Sequence, residues 1–400
     1  MSLRGAAAIV GLAERPPQRY SGEETLLELA SGVAAEAIAD SGIARARIDG
    51  LIVHPMGGLP GFVPATVAEY LGLQPTFAEI VDLGGATGAG MVWRAAAAIQ
   101  AGMCTNCLCV TATTRRPRPT RVGEPVQASR APRSLRIAHD RSPSAEFDYP
   151  YGLIGANVGY AMLATRYAHE YGLSAEQRAK VAVDQRTNAN ANPSAIFYDQ
   201  ALSIDEVLAS EMICAPLRML EIVMPAAGAA ALIVTSADQV AAAQQRPAWI
   251  LGAGESVTHS SFAQAPRLDA TGIGIAARAA FRQAGVAPAD VGLASLYDCY
   301  TIMVLLTLEE AGFCKRGEAG AFVMAHDLTF RGDFPLNTHG GQLSFGQPGM
   351  AGGMSHVTEA VRQLQRRAGA RQIADLHTAY VHGNGGIIAE QVGLVLGAQR

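Results

Sequence analysis

Four hundred residues, 49% hydrophobic and 16% charged, suffice for two ordinary folded domains or one large duplicated one, which excludes a disordered chain. A net charge of -4 gives no positive field to hold nucleic acid or an anionic membrane surface, so neither is an expected partner. Six cysteines, three of them in C-T-N-C-L-C at 104–109, are too few for a disulfide framework and read as reduced thiols of a cytoplasmic protein.

The amino terminus MSLRGAAAIVGLAE reads as a first strand rather than a signal peptide, and no apolar run reaches the roughly 18 residues of a membrane span. The first strand is expected over Ala6 to Leu12, followed by a helix from about Glu23 to Ser41 and the strand D-G-L-I-V-H ending at His54. A Gly-rich turn at 84 feeds an alanine-rich helix, and L-C-V-T-A-T at 108 follows as a strand. A long insertion from about 115 to 217 holds two expected helices, Tyr151 to Tyr171 and Ser174 to Asn190. Insertions of that size on a rigid scaffold cover active sites or form interfaces. The run A-A-L-I-V-T at 230 returns as a strand buried on both faces.

The pattern then repeats. Ala248 to Gly254 is followed by a helix from about Ala270 to Gly285, the strand V-G-L-A-S-L-Y ending at Tyr297, a Gly-rich turn and helix from 346, and the strand H-T-A-Y-V-H at 377. Such a duplication implies two mixed α/β halves, residues 1–240 with the insertion and residues 241–400, stacked about a shared helical layer. Only Lys180 and Lys315 are lysines among 31 basic residues. A Schiff-base enzyme therefore has almost no candidate amine.

Five motifs in order, P-Y-G-L-I-G at 150, Y-A-M-L-A-T-R-Y-A-H-E-Y-G at 160, Y-D-C-Y-T at 297, N-T-H-G-G at 337 and G-N-G-G at 383, resemble the thiolase superfamily. The likeness is greatest to the sterol-carrier-protein-X type thiolases and the lipid-transfer-protein aldolases related to them. The resemblance implies a duplicated five-layer α/β/α/β/α fold, CoA-thioester substrates and a homodimer. It also implies a small partner combining an OB-fold and a zinc ribbon, and no cofactor besides the coenzyme A of the substrate.

The departures from the family pattern carry the functional expectation. The turn that bears the nucleophilic cysteine in a thiolase reads D-L-G-G-A-T-G here, with Gly85 at the aligned position, so no acyl-enzyme can form there. Gln347 replaces the histidine of the family's G-H-P motif, His382 stands near the family's second cysteine, and Tyr297 stands where an asparagine or histidine would hold an oxyanion-stabilising water. Phenol, imidazole and amide groups in place of sulfur suit aldol chemistry next to a thioester, which passes through an enolate.

Tyr297, Tyr380 and His382 are the candidates for proton transfer, with Asp298 orienting a neighbour. His339, Gln347 and the backbone at Gly85 and Gly385 are the candidates for the oxyanion and substrate. The alternatives at these positions are structural: a buried hydrogen-bonded pair for Tyr380 and His382, a loop-holding His339, a core aromatic at Tyr300 and a structural Asn337. Eight arginines between 115 and 141, led by Arg115, Arg116 and Arg118, suit the phosphates of coenzyme A or line a solvated loop.

No metal site is expected. The histidines lack paired spacing, and Cys104, Cys107 and Cys109 lack a fourth ligand. The reading is thus a CoA-thioester lyase, a retro-aldolase or aldolase acting on a β-hydroxyacyl-CoA. Its competitors are a thiolase-type acyltransferase and a non-catalytic CoA-ester-binding subunit.

Overall fold

The computed structural model describes residues 3–57, 59, 61–117, 142–267 and 271–400; Arg118 and the rest of the arginine-rich segment to 141 lie outside them. The first repeat opens with strand β1 (Ala7–Gln18), longer than the apolar run alone suggests. Helix α1 (Leu26–Ser41) starts at a Thr25/Glu28 capping box and stops at Gly42, which takes the left-handed conformation. Strand β2 (Gly50–Val53), helix α2 (Val63–Leu71), strand β3 (Phe77–Ile80), helix α3 (Thr87–Gln100) and strand β4 (Asn106–Thr113) follow.

The insertion contributes helices α4 (Pro143–Phe147), α5 (Ala156–Tyr171), α6 (Ala175–Asn190) and α7 (Ile204–Ala209) and a small hairpin of β5 (Met212–Cys214) and β6 (Leu217–Arg218). The expected helix from Tyr151 begins instead at Ala156, because Gly152 and Gly155 both take positive φ and break the chain direction there. Strand β7 (Ala227–Ser236) returns to the sheet, buried on both faces until its last residue.

The second repeat comprises β8 (Ala248–Val257), α8 (Ile273–Ala284), β9 (Leu293–Leu296), α9 (Thr301–Glu310), α10 (Ala319–Ala325), α11 (Gly341–Ser344), α12 (Met350–Leu364), β10 (Thr378–Gly385) and β11 (Glu390–Gly397). The strands run in the order β3-β2-β4-β7-β1-β8-β11-β10-β9. Outward from the seam between β1 and β8, β1-β7-β4-β2 matches β8-β11-β10-β9, with antiparallel, antiparallel and parallel pairings on each side. The seam consists of two residue pairs, Ala8 with Trp249 and Ile9 with Ala248. Leu336, bridged in parallel to Ala294, takes in the second half the place that β3 has in the first.

Helices α3 and α12 pack on one another and on strands of both halves, and the side chains between them form one apolar core. Helices α1 and α2 cover the outer face of the first half, and α8 and α9 that of the second. This is the five-layer arrangement that the family resemblance implies. Both central helices are buried nearly all round, as interior helices are.

The central helices touch at glycine. A Cβ on Gly88 would lie 2.7 Å from the Met354 backbone, and one on Gly353 would overlap the Gly85 carbonyl. Because backbone cannot give way as a side chain can, Gly88→Val is expected to lower unfolding stability by about 1–3 kcal/mol or more. Denaturant unfolding of the variant measures it.

Candidate active site

Strand β9 ends at Leu296, and the next four residues, Tyr297 to Tyr300, carry the chain into α9. The Tyr297 N–H donates to the His382 carbonyl on the neighbouring β10 at 3.2 Å, which aims the ring across the ends of the strands toward the amino end of α3. There the Tyr297 hydroxyl occupies the space in which any side chain on residue 85 would begin: a Cβ on Gly85 would overlap Oη and Cζ of Tyr297. The absence of a Cβ at 85 and the phenol at 297 are therefore one arrangement.

The Gln347 amide donates to Tyr297 Oη at 3.2 Å. Its own backbone is pinned to the lead of β7, with its N–H donating to Met224 O at 3.0 Å and its carbonyl accepting from Ala226 at 2.8 Å. Neither α3 nor α12 has a side-chain cap at its amino end. The dipoles of these helices favour negative charge where the two ends meet. Burial raises the Tyr297 pKa, with the neighbouring Cys299 and Asp298 acting in the same direction; the amides of Gln347 and Gln342 oppose them by favouring the phenolate.

Asp298 faces the other way. Its carboxylate accepts the N–H groups of Gln342 at 2.8 Å and Leu343 at 3.0 Å, fixing the short α11, and Oδ1 lies 3.1 Å from Nε2 of His356 on α12. The same His356 nitrogen lies 3.1 Å from the Gln342 amide nitrogen, and its ring centroid is 5.9 Å from that of Tyr297. Asp298 is thus bonded to the start of α11 and lies against His356, not against the Tyr297 hydroxyl. His356 and Gln342 were not evident from the sequence, because a polar residue inside an apolar helical pattern gives no sign of its partner.

His382 is buried, and its Nε2–H donates to Gln391 Oε1 at 2.8 Å. The chain of bonds continues from Gln391 to Asn384 at 2.8 Å, from Asn384 to the Tyr160 hydroxyl at 2.8 Å, and from that hydroxyl to Gly386 O at 3.2 Å. Burial pushes the His382 pKa down to about 4, so the imidazole is neutral.

Tyr380 lies on the same strand face, as alternate residues must, but in an apolar setting. Its ring stacks on Phe281 at 4.9 Å with Phe313 at 5.9 Å, and its hydroxyl has no hydrogen-bond partner among the described residues. The geometry does not bring Tyr380 to the group around Gly85.

His339 is buried between Phe345 and His356, with ring centroids 5.2 Å from each and neither nitrogen hydrogen-bonded among the described residues; burial lowers its pKa well below the ordinary value. Asn337 is structural: its side-chain amide accepts the Leu296 N–H at 2.7 Å and donates to the Leu296 carbonyl at 2.8 Å. Gly385 packs turn against turn, since a Cβ there would overlap the Leu83 carbonyl.

Arg115 donates to the Arg19 carbonyl at 2.7 Å, and Arg116 to the carbonyls of Gly22, Glu23 and Glu24. Both guanidiniums hold segment 19–24, while Arg118 lies outside the described residues. The Cys299 thiol sits against the Tyr160 hydroxyl and is pushed up to about 12, mainly by burial, so it carries no thiolate near neutrality.

The family model "Thiolase C-terminal domain-like" matches residues 254–398. The chain is 33% identical to the steroid side-chain-cleaving aldolase of Thermomonospora curvata, covering 100% of this chain and 99% of that protein. It is also 33% identical to the 17-hydroxy-3-oxo-4-pregnene-20-carboxyl-CoA lyase of Mycobacterium tuberculosis, over 99% of this chain and 100% of that one. The solved Ltp2-ChsH2(DUF35) aldolase superposes with a TM-score of 0.86 at 31% identity over 100% of both chains. Human mitochondrial 3-ketoacyl-CoA thiolase shares the fold, with a TM-score of 0.70 at 17% identity over 100% of both chains.

His382 supplies a measurable pH dependence. The unfolded chain binds a proton at this imidazole from about pH 6.5 downward and the folded chain only near pH 4, so folding stability falls as pH drops through that window. His382→Gln is expected to flatten the acid limb of stability against pH by up to about 3 kcal/mol. Urea unfolding of both proteins between about pH 4 and 7 measures the difference.

Proposed function

We propose, on the premise that the chain belongs to the thiolase superfamily and within it to the steroid side-chain-cleaving aldolases, that Tyr297 moves the proton in its reaction. The enzyme is a CoA-thioester carbon-carbon lyase, cleaving a β-hydroxyacyl-CoA through a thioester enolate to an acyl-CoA and a ketone or aldehyde. The observation that carries the assignment is the position of the Tyr297 hydroxyl, in the space that a side chain at 85 would fill.

The step balances with one phenol. The Tyr297 phenolate takes the proton of the substrate's β-hydroxyl, the Cα–Cβ bond breaks, the carbonyl product forms at Cβ, and the electron pair passes into the thioester enolate. The phenol then returns the proton to Cα, which gives the acyl-CoA and regenerates the phenolate. Burial opposes the phenolate; Gln347 and the dipoles at the amino ends of α3 and α12 support it. An amide nitrogen carries two hydrogens, so Gln347 has a second N–H to offer the developing thioester oxygen. His382, neutral and bonded to Gln391, holds the turn at 384–386 through Asn384 and Tyr160.

The substrate in this reading is a steroid whose side chain ends in a CoA thioester with a hydroxyl on the β-carbon, the class for which the relatives are named. The protein works as a homodimer with a small OB-fold and zinc-ribbon partner in the cytoplasm, where its buried thiols stay reduced. Support for the dimer is the edge strand β3 with its exposed Ile80, beside a groove of about 780 Å³ lined by the exposed Phe62 and by Ala65, Leu73 and Ala78. Support for the partner is the two-component composition of the solved relative. Among the described residues no helix is long and apolar enough to cross a membrane.

The test is carbonyl release from a panel of β-hydroxyacyl-CoA esters, with steroid and short acyl members, with and without that partner. Tyr297→Phe is expected to lose about 100-fold or more in kcat while still binding the ester. Tyr380→Phe, whose hydroxyl is unbonded, is expected to stay within a few-fold of wild type. Because the Tyr297 pKa is raised, the active phenolate is a minor form and the wild-type rate should climb with pH across about 7 to 9. Full activity in Tyr297→Phe contradicts the assignment.

A further inference from the structure

Sulfur gathers at the end of α3 remote from Tyr297. The helix stops at Gln100, an exposed turn follows, and the chain re-enters the sheet at Asn106, with Cys104 just before β4 and Cys107 and Cys109 within it. The two residues between Cys104 and Cys107 are fixed by their backbone. The Asp49 carboxylate accepts the Thr105 N–H at 2.8 Å and the Asn106 N–H at 2.7 Å, and the Asn106 side chain donates to Arg47 O at 2.9 Å. Gly50 on β2 is the residue paired with Cys107. A Cβ on Gly50 would lie 2.8 Å from Cys104 Sγ and 3.0 Å from Cys107 Sγ, so both sulfurs crowd into the space that a side chain at 50 would fill.

The three thiols differ in setting. Cys109 faces inward, its sulfur 3.8 Å from Met91 O on α3, and behaves as a small core residue. Cys107 is fully enclosed, and its thiol is raised well above the ordinary value by the Cys104 and Cys109 side chains and by burial. Cys104 sits at the rim, directly after the exposed Met103, and keeps 6% of its surface open. Its thiol is lowered by the Cys107 side chain, against burial and the charge of Asp49. An accessible sulfur that favours the thiolate, backed by a second sulfur in an enclosed position, is the pairing of an attacking and a resolving cysteine.

We propose that Cys104 and Cys107 form a redox modification site, a dithiol that hydrogen peroxide converts to a disulfide in the space left by Gly50. The inference is independent of the role given to Tyr297. The Cys104 thiolate attacks one peroxide oxygen, so that an S–O bond forms and the O–O bond breaks, and the hydroxide that leaves takes up a proton as water. The Cys107 sulfur then attacks the sulfenic sulfur of Cys104; the S–S bond forms, the S–O bond breaks, and a second water leaves with the Cys107 proton. Two thiols are oxidised and one peroxide is reduced to two waters. At rest the pair is a dithiol, like the other free cysteines of the chain, and disulfides of reducing compartments are transient in this way.

The experiment treats the full chain with a small excess of hydrogen peroxide, alkylates the remaining thiols under denaturing conditions, and maps the peptides by mass spectrometry. The wild type should lose two alkylation sites and two hydrogens, with a dithiothreitol-reversible bridge between residues 104 and 107. Cys104→Ser should slow the peroxide-dependent loss of the Cys107 thiol by about tenfold or more. Cys107→Ser should stop at a Cys104 sulfenic acid that dimedone captures, and Cys109→Ala should bridge as the wild type does. A wild type that keeps every thiol overturns the proposal, as does a bridge that includes Cys109, or a Cys104 carried on to sulfinic acid while Cys107 remains a thiol. A Cys107→Ser protein whose Cys104 takes up no dimedone overturns the order of attack. Where a variant does not fold, the wild-type map alone decides whether the bridge forms.

Discussion

The site depends on a steric exchange at the junction of the two halves. Helices α3 and α12 bring their amino ends together so closely that Gly85, Gly88 and Gly353 have no room for a Cβ. The space that a side chain at 85 would occupy is filled from across the junction by the Tyr297 hydroxyl. One atom is thereby placed at the meeting point of two helix amino ends, where negative charge is favoured. The duplicated sheet makes this possible. It presents the carboxyl end of β9 in one half opposite the start of α3 in the other, and the two residue pairs of the β1–β8 seam hold the halves in register.

Around that atom the polar groups fall into two shells with different tasks. Gln347 donates to the phenol itself, while the Gln342 amide nitrogen lies against His356. Asp298, His356 and Ser295 lie behind them, and His382, Gln391, Asn384 and Tyr160 form a separate buried chain that fixes the turn after β10. The neighbouring thiol, Cys299, is held in its protonated form by burial. That is the physical content of replacing acyl-transfer chemistry with aldol chemistry on one scaffold: the nucleophile is gone, while the environment that stabilised an anion beside it remains.

Much of this arrangement was legible in the residues. The repeat of strand, helix and Gly-rich turn located both halves, and the turn D-L-G-G-A-T-G exposed the missing cysteine because a glycine there leaves no other side chain to consider. Tyr297 and Gln347 followed from their places in Y-D-C-Y-T and G-Q-P, and the structure brings the two together. Tyr380 shows where such reasoning stops. Alternation along β10 puts it on one face with His382, but not that Phe281 from α8 and Phe313 would enclose its hydroxyl. Arg115 and Arg116 read as candidates for the phosphates of coenzyme A or as part of a solvated loop; both guanidiniums are bonded to the carbonyls of a segment more than ninety residues away. His356 and Gln342 stand in buried helical stretches, and only tertiary packing reveals that they face each other.

The most direct measurement is a crystal structure of the protein with the amide analogue of a β-hydroxyacyl-CoA, in which nitrogen replaces the thioester sulfur, so that the acyl oxygen and the bond to be cleaved are kept while the enolate forms too reluctantly for cleavage. The account predicts the β-oxygen within about 3 Å of Tyr297 Oη, a hydrogen-bonding distance, and the acyl oxygen toward Gln347. A β-oxygen bonded to some other residue, or an acyl carbon seated against the Cys299 sulfur, would contradict it.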